Sequence, residues 1–164
     1  MTNNAQSIYK EATDLENNSR IVKTAHFNAA HRKQKMHRTL GLLVIIINIV
    51  IFSPLLDLCI PKYSTIGVKI LAIVGASLAG VQTLFNFQKD VEMHLIAGNI
   101  YVNIYHKIGT LIAKSKDNIV DMNTFVNEFE TLQKEYLEAN SAYKSCIPSN
   151  GDYQQANKLI KKRS

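Results

Sequence analysis

Cysteine, proline and glycine are all scarce in this chain, and each scarcity excludes a class of protein. The 164 residues include two cysteines, three prolines and seven glycines. Two cysteines cannot build a disulfide-stapled scaffold or a metal site of the Cys₄ type. So few prolines and glycines exclude collagen-like chains and disordered chains rich in these residues. The chain is long enough to form one ordinary folded domain.

Charge is scarce in the middle of the chain and abundant at both ends. Of the 19 basic and 13 acidic residues, only Asp57, Lys62 and Lys69 lie between positions 40 and 88. The mean hydropathy of −0.05 would suit a soluble protein, but it averages over this uneven distribution. The net charge of +6 predicts an anionic partner, either a lipid surface or a nucleic acid.

Two apolar segments predict a pair of transmembrane helices. The first covers residues 40–60 and the second covers residues 66–87. A helix of about 21 residues is roughly 30 Å long, which matches the hydrocarbon thickness of a bilayer. The alternative is a pair of buried helices in a globular core, but the rest of the chain is too short to cover two such helices on all sides. The short linker 61–65 requires the two helices to form an antiparallel hairpin.

Basic residues before the first apolar segment predict that both termini are cytoplasmic. Arg32, Lys33, Lys35 and Arg38 lie just before that segment, whereas the linker contains only Lys62. Such an excess of basic residues resists translocation across the membrane. It also suits contact with anionic lipids, and we favour this interpretation over a nucleic-acid interface.

The flanking sequences predict long cytoplasmic helices around the hairpin, so the expected fold is an all-α membrane protein that forms oligomers. We expect a basic tail with a short helix capped by Asp152. The predicted regions are an N-terminal helix with the basic segment (1–39), the first span (40–60), the external linker (61–65), the second span (66–87), a cytoplasmic helical hairpin (88–146) and the basic tail (147–164).

A heptad pattern is the clearest helical signal outside the apolar segments. Its apolar residues are separated alternately by three and four positions, which is typical of coiled-coil packing. The pattern does not distinguish packing within one chain from packing between subunits. This heptad seam consists of Met122, Phe125, Phe129, Leu132, Tyr136, Ala139 and Tyr143.

Polar and small residues inside the apolar segments are candidate functional residues. The polar ones either bridge the two helices of the hairpin or line a water-filled path. Two helices cannot enclose a pore, so the second interpretation requires several copies of the chain. Small residues at every fourth position let another helix approach closely. The polar residues are Asn48, Ser77, Gln82 and Thr83, and the small ones are Ala72, Ala76 and Gly80.

The sequence contains no motif typical of catalysis, and we expect no enzyme, cofactor or metal. His26, His31 and His37 are spaced by five and six residues, which does not align two imidazoles on one face of a helix. His94 and Glu92 diverge on a helix because they are two residues apart. No Gly-rich phosphate loop or nucleophile elbow is present.

Two short motifs flank the hairpin: a basic Ala-Ala-His-Arg stretch at 29–32, and a helix containing Glu92, His94, Ala97, Gly98 and Tyr101. With the hairpin between them, this order resembles the SLATT family, two-span proteins of bacterial conflict systems, over roughly residues 8–145. The resemblance implies a membrane-disrupting effector of the bacterial inner membrane that is triggered on phage infection and kills the infected cell. It also implies a soluble sensor or nucleotide-signalling partner. The family has no catalytic residues to carry over.

Three functions remain open at this point. The first is an oligomeric effector whose hairpins form a pore, and the second is a membrane adaptor whose cytoplasmic helices recruit a soluble partner. The third is a phage-type holin, but a holin needs little protein outside the bilayer, whereas most of this chain lies outside the apolar segments. Leakage of ions from liposomes would separate a pore from an anchor.

Overall fold

The computed structural model describes residues 3–54, 58–59 and 61–163, and no strand occurs among them. The described part of the chain is therefore all-helical, as the sequence predicts. A short 3₁₀ turn covers Pro61–Tyr63. The helices are α1 (Asn3–Phe52), α2 (Ser64–Leu84), α3 (Phe87–Lys116), α4 (Met122–Ala142) and α5 (Asn150–Arg163).

The chain divides into two compact units, and the division differs from the predicted regions. We call Met1–Ala30 together with Glu92–Ser164 the helical unit, and His31–Val91 the hairpin unit. The boundaries fall inside α1 and inside α3 rather than at helix ends. The N-terminal helix, the predicted cytoplasmic hairpin and the tail thus share one unit.

The heptad seam of α4 packs inside the helical unit. Phe125, Phe129 and Leu132 are buried with Ala12 and Leu15 of α1, and with residues of α3, in one apolar cluster. Ala139 belongs to a second cluster, with further α3 residues. Met122, Tyr136 and Tyr143 pack against these clusters at their edges. Of the two arrangements that the heptad pattern allows, the structure contains the one within a single chain.

The starts of α4 and α5 are fixed by side-chain caps. Asp121 accepts hydrogen bonds from the backbone N–H and the hydroxyl of Thr124, and these bonds hold the pKa of its carboxyl below the usual range. The predicted cap of the tail helix is wrong. Ser149, not Asp152, precedes α5, and its Oγ accepts a hydrogen bond from the backbone N–H of Asp152. The carboxylate of Asp152 accepts in return from Ser149, which forms a capping box.

The two apolar helices differ in how well they match their predicted spans. α2 has 21 residues, or about 31 Å of helix, and agrees closely with the predicted second span. α1 ends at Phe52, well before the predicted end of the first span at residue 60. Pro54 explains this, because the residue before a proline is disfavoured in the helical conformation. Residues 55–57 and 60 of that predicted span, and Asp57 with them, lie outside the described residues.

Candidate functional sites: an apolar hairpin and a buried histidine–cysteine cluster

Small and polar residues form the contact between α1 and α2 in the hairpin unit. An added Cβ at Gly75 would lie 3.2 Å from Cγ2 of Ile47, so the two backbones approach closely there. Nearer the other end of the contact, Nε2 of Gln82 lies 3.2 Å from Nδ1 of His37. Because the partner position in α2 rises as the position in α1 falls, the two helices are antiparallel, as the short linker predicts.

The remaining faces of α2 and of the apolar part of α1 are mostly apolar and exposed. Leu42, Ile45 and Ile49 of α1 are 58%, 56% and 60% exposed, and Ile70 and Ile73 of α2 are similarly exposed. Within α2, all of whose residues are described, Gly75 alone is buried. Both helices are long and apolar enough to cross a membrane. The hairpin therefore covers little of its own apolar surface.

The four polar residues singled out in the sequence divide into two groups. Gln82 is half-buried between the helices and contacts His37. Asn48, Ser77 and Thr83 are exposed, and each donates a side-chain hydrogen bond to the carbonyl four residues earlier, at 2.8–2.9 Å for the first two and 3.0 Å for Thr83. Each of these three side chains therefore makes one hydrogen bond to its own helix, and the rest of its polar surface is exposed.

The small-residue face of α2 is open. Ala72, Ala76 and Gly80 are all exposed, and among the described atoms nothing lies within 4 Å of a Cβ added at Gly80. The close contact with α1 uses Gly75 instead. Within one chain, the predicted packing face has no helix against it in the described residues.

The basic segment lies at the start of the hairpin unit. Arg32, Lys35 and Arg38 are exposed, whereas Lys33 is half-buried. The ammonium of Lys33 lies 2.6 Å from the carboxylate of Asp90, near the start of α3. Lys33 therefore joins the two ends of the hairpin unit, whereas Lys35 and Arg38 are exposed.

The helical unit contains a cluster of metal-ligating side chains that is not apparent from the sequence. The Nδ1 atoms of His26 on α1 and His94 on α3 lie 3.1 Å apart. Cys146, between α4 and α5, joins them, and one ligand atom from each residue lies within 4.8 Å of the other two. All three side chains are buried. Spacing within one helix could not reveal this cluster, because its members come from three separate parts of the chain.

Small residues let α1 and α3 approach closely enough for the histidines to meet. Ala25 and Ala29 of α1 and Ala97 of α3 are fully buried. At Gly98 an added Cβ would lie only 3.0 Å from the ring of Phe27. A larger residue at Gly98 would therefore require the Phe27 ring or the helix backbones to shift next to the cluster.

Burial and, to a smaller extent, the neighbouring His94 together lower the pKa of His26 to about 4. His26 is thus a neutral imidazole near pH 7. The ring of Tyr101 stacks on the ring of His26 at a centroid distance of 5.6 Å, and its hydroxyl donates to Oδ1 of Asn140 at 2.6 Å. Burial, with neighbouring tyrosines, raises the pKa of Tyr101 to about 12.

A cavity of about 300 Å³ adjoins the cluster. His26 and Cys146 contribute to its lining, together with several tyrosines. Cys146 is held by a hydrogen bond from its backbone N–H to the carbonyl of Tyr143, at 2.9 Å. The cluster therefore borders a space that admits a small molecule or water.

A second, larger cavity of about 600 Å³ lies between α3 and α4 on the helical unit. Its lining combines the apolar Leu111 and Leu132 with charged residues of both helices, among them Lys107 and Glu135. The ammonium of Lys107 lies 2.8 Å from that carboxylate. The lining thus combines apolar side chains with charged groups.

Comparison with protein-family models, with curated proteins and with solved structures found no match. The resemblance to the SLATT family therefore rests on the residues quoted above.

Proposed function

We propose that this chain is a two-span integral membrane protein and that several copies assemble into a pore. The hairpin unit crosses the bacterial inner membrane, and both termini and the helical unit lie in the cytoplasm. The observation that carries the proposal is the exposed apolar surface of α1 and α2. By resemblance to the SLATT family, the pore acts as an antiphage effector that arrests or kills the infected cell.

Membrane insertion follows from the energetics of that surface. Keeping a fully exposed Leu or Ile side chain in water rather than in an apolar environment costs roughly 1.5–3 kcal/mol. The hairpin presents many such side chains, including Leu42, Ile45, Ile49, Ile70 and Ile73. A bilayer covers them all at once, and α2 at about 31 Å has the length for it.

The orientation rests on the basic segment. Lys35 and Arg38 are exposed just before the apolar part of α1, where they would meet anionic headgroups. The 3₁₀ turn at the other end of the hairpin contributes a single basic residue, Lys62. This asymmetry favours a cytoplasmic location for both ends of the hairpin.

The surfaces of α1 and α2 that are exposed in a single chain support assembly of several copies. The face formed by Ala72, Ala76 and Gly80 permits close approach of another helix, and it is open in the described chain. Thr83 and Asn48 keep polar groups outward, where lipid would disfavour them and an aqueous lumen would not. We infer that neighbouring hairpins pack through the small face, with polar residues in the lumen.

The proposal is tested by expressing the chain in bacteria and recording membrane potential and growth. We expect depolarisation and growth arrest. Gly80→Leu should weaken both, because leucine holds neighbouring helices apart. Gly67→Leu is the matched control, since Gly67 also has open space around its Cβ but lies off the small face. Equal effects of the two substitutions would contradict assembly through this face.

A membrane adaptor is the second candidate, and the cavity between α3 and α4 favours it. In that case the hairpin is an anchor, and the cavity receives a segment of a soluble sensor or nucleotide-signalling protein. An adaptor would leave the membrane potential unchanged when expressed alone. It would lose activity with Thr131→Arg, which changes an exposed residue of the cavity lining, whereas a pore would conduct without any partner.

A further inference from the structure

We propose that His26, His94 and Cys146 form a Zn²⁺ site in the helical unit. The three residues converge from α1, α3 and the segment before α5, and one ligand atom of each lies within 4.8 Å of the others. Two imidazoles and one thiolate are a donor set that zinc accepts. The inference concerns the helical unit alone and does not depend on pore formation.

The distances support this assignment. In a tetrahedral zinc site, bond lengths of about 2.0–2.3 Å place neighbouring ligand atoms roughly 3.3–3.7 Å apart. The two Nδ1 atoms already lie 3.1 Å apart. No two of the three ligand atoms are more than 4.8 Å apart, so each separation lies within little more than about 1 Å of this geometry.

A neighbouring aromatic side chain supports the orientation of the His26 ring. Tyr101 stacks against the ring of His26 and is itself fixed by Asn140, which limits ring rotation.

Binding would release one proton. The two imidazoles bind as neutral rings after adjusting their tautomers, whereas the thiol of Cys146 must become a thiolate. The fourth coordination position adjoins the cavity of about 300 Å³, where water can complete the tetrahedron. Zinc would thereby link three separate segments of the helical unit.

The test uses the full chain in detergent, stripped of metal with a chelator and titrated with Co²⁺. We expect one equivalent to bind with the thiolate-to-cobalt charge-transfer band and the visible bands of tetrahedral Co²⁺. Zn²⁺ should displace it. Cys146→Ser should abolish the charge-transfer band, while Cys59→Ser, in the hairpin unit, should retain it. Absence of Co²⁺ binding, or an unchanged band in Cys146→Ser, would overturn the proposal.

A second measurement on the unmodified chain covers the case in which Cys146→Ser does not fold. Saturating Zn²⁺ should strongly slow alkylation of Cys146 by iodoacetamide, because the metal holds the thiolate. Alkylation of Cys59 in the same sample is the internal reference and should not change. Equal rates for Cys146 with and without Zn²⁺ would show that the cluster is only a packed histidine pair beside a thiol.

Discussion

Two leucines on α4 allow a matched test of how the heptad seam packs. Leu132 is 6% exposed and belongs to the main apolar cluster, whereas Leu137 is 61% exposed on the same helix. Truncating a buried leucine to alanine costs about 2–5 kcal/mol, and truncating an exposed one usually costs less than about 0.5 kcal/mol. Leu132 also borders the larger cavity, so we expect a loss of about 2–3 kcal/mol for Leu132→Ala.

The assay is thermal unfolding followed by the near-ultraviolet circular dichroism of tyrosine. The chain has no tryptophan, and Tyr63 is the one tyrosine outside the helical unit, so this signal reports that unit. For a unit of this size, each kcal/mol lowers the Tm by about 4–8 °C. Leu132→Ala should therefore lower the Tm by roughly 10–20 °C, and Leu137→Ala by a few degrees at most.

Equal Tm changes for the two variants would refute the observed packing of α4. A Tm that rises with protein concentration in the parent chain, and loses this dependence in Leu132→Ala, would show instead that the seam packs between subunits.

The remaining predictions concern a buried hydroxyl, a close helix contact and the topology. Oγ of Ser19 is buried without a hydrogen-bond partner among the described residues. Ser19→Ala should therefore raise stability in the same thermal assay, by about 1 kcal/mol. Gly98→Val should lower stability by about 1–3 kcal/mol, because the new side chain meets the ring of Phe27. In a Cys59→Ser background, a cysteine placed at Ser64 should react with a membrane-impermeant thiol reagent in intact cells, whereas a cysteine placed at the exposed Ser145 should not. Labelling at position 145 and not at position 64 would reverse the topology.

The sequence predicts the parts of this fold that depend on short-range patterns. The alternation of three and four residues from Met122 to Tyr143 correctly places one face of α4 in an apolar core. The length of the second apolar segment likewise predicts α2. The early end of α1 was predictable in principle from Pro54, but the continuous apolar composition around it suggested a longer helix.

Contacts between residues that are far apart in the chain were not predictable from the sequence. The close contact with α1 is made at Gly75, which lies outside the pattern of Ala72, Ala76 and Gly80, and the pattern itself does not state whether its face meets a helix of the same chain or of another copy. The histidine–cysteine cluster joins residues far apart in the chain. Spacing arguments compare neighbours on one helix, so they cannot pair His26 with His94.

The central claim is that assembled hairpins conduct ions, and a planar-bilayer recording of the purified chain tests it most directly. We expect discrete conductance steps from the parent chain. Asn48→Asp should shift the selectivity toward cations if its exposed side chain faces the lumen. Protein that inserts fully and yet gives no conductance, with or without this substitution and with its natural trigger present, would contradict the pore and leave the adaptor.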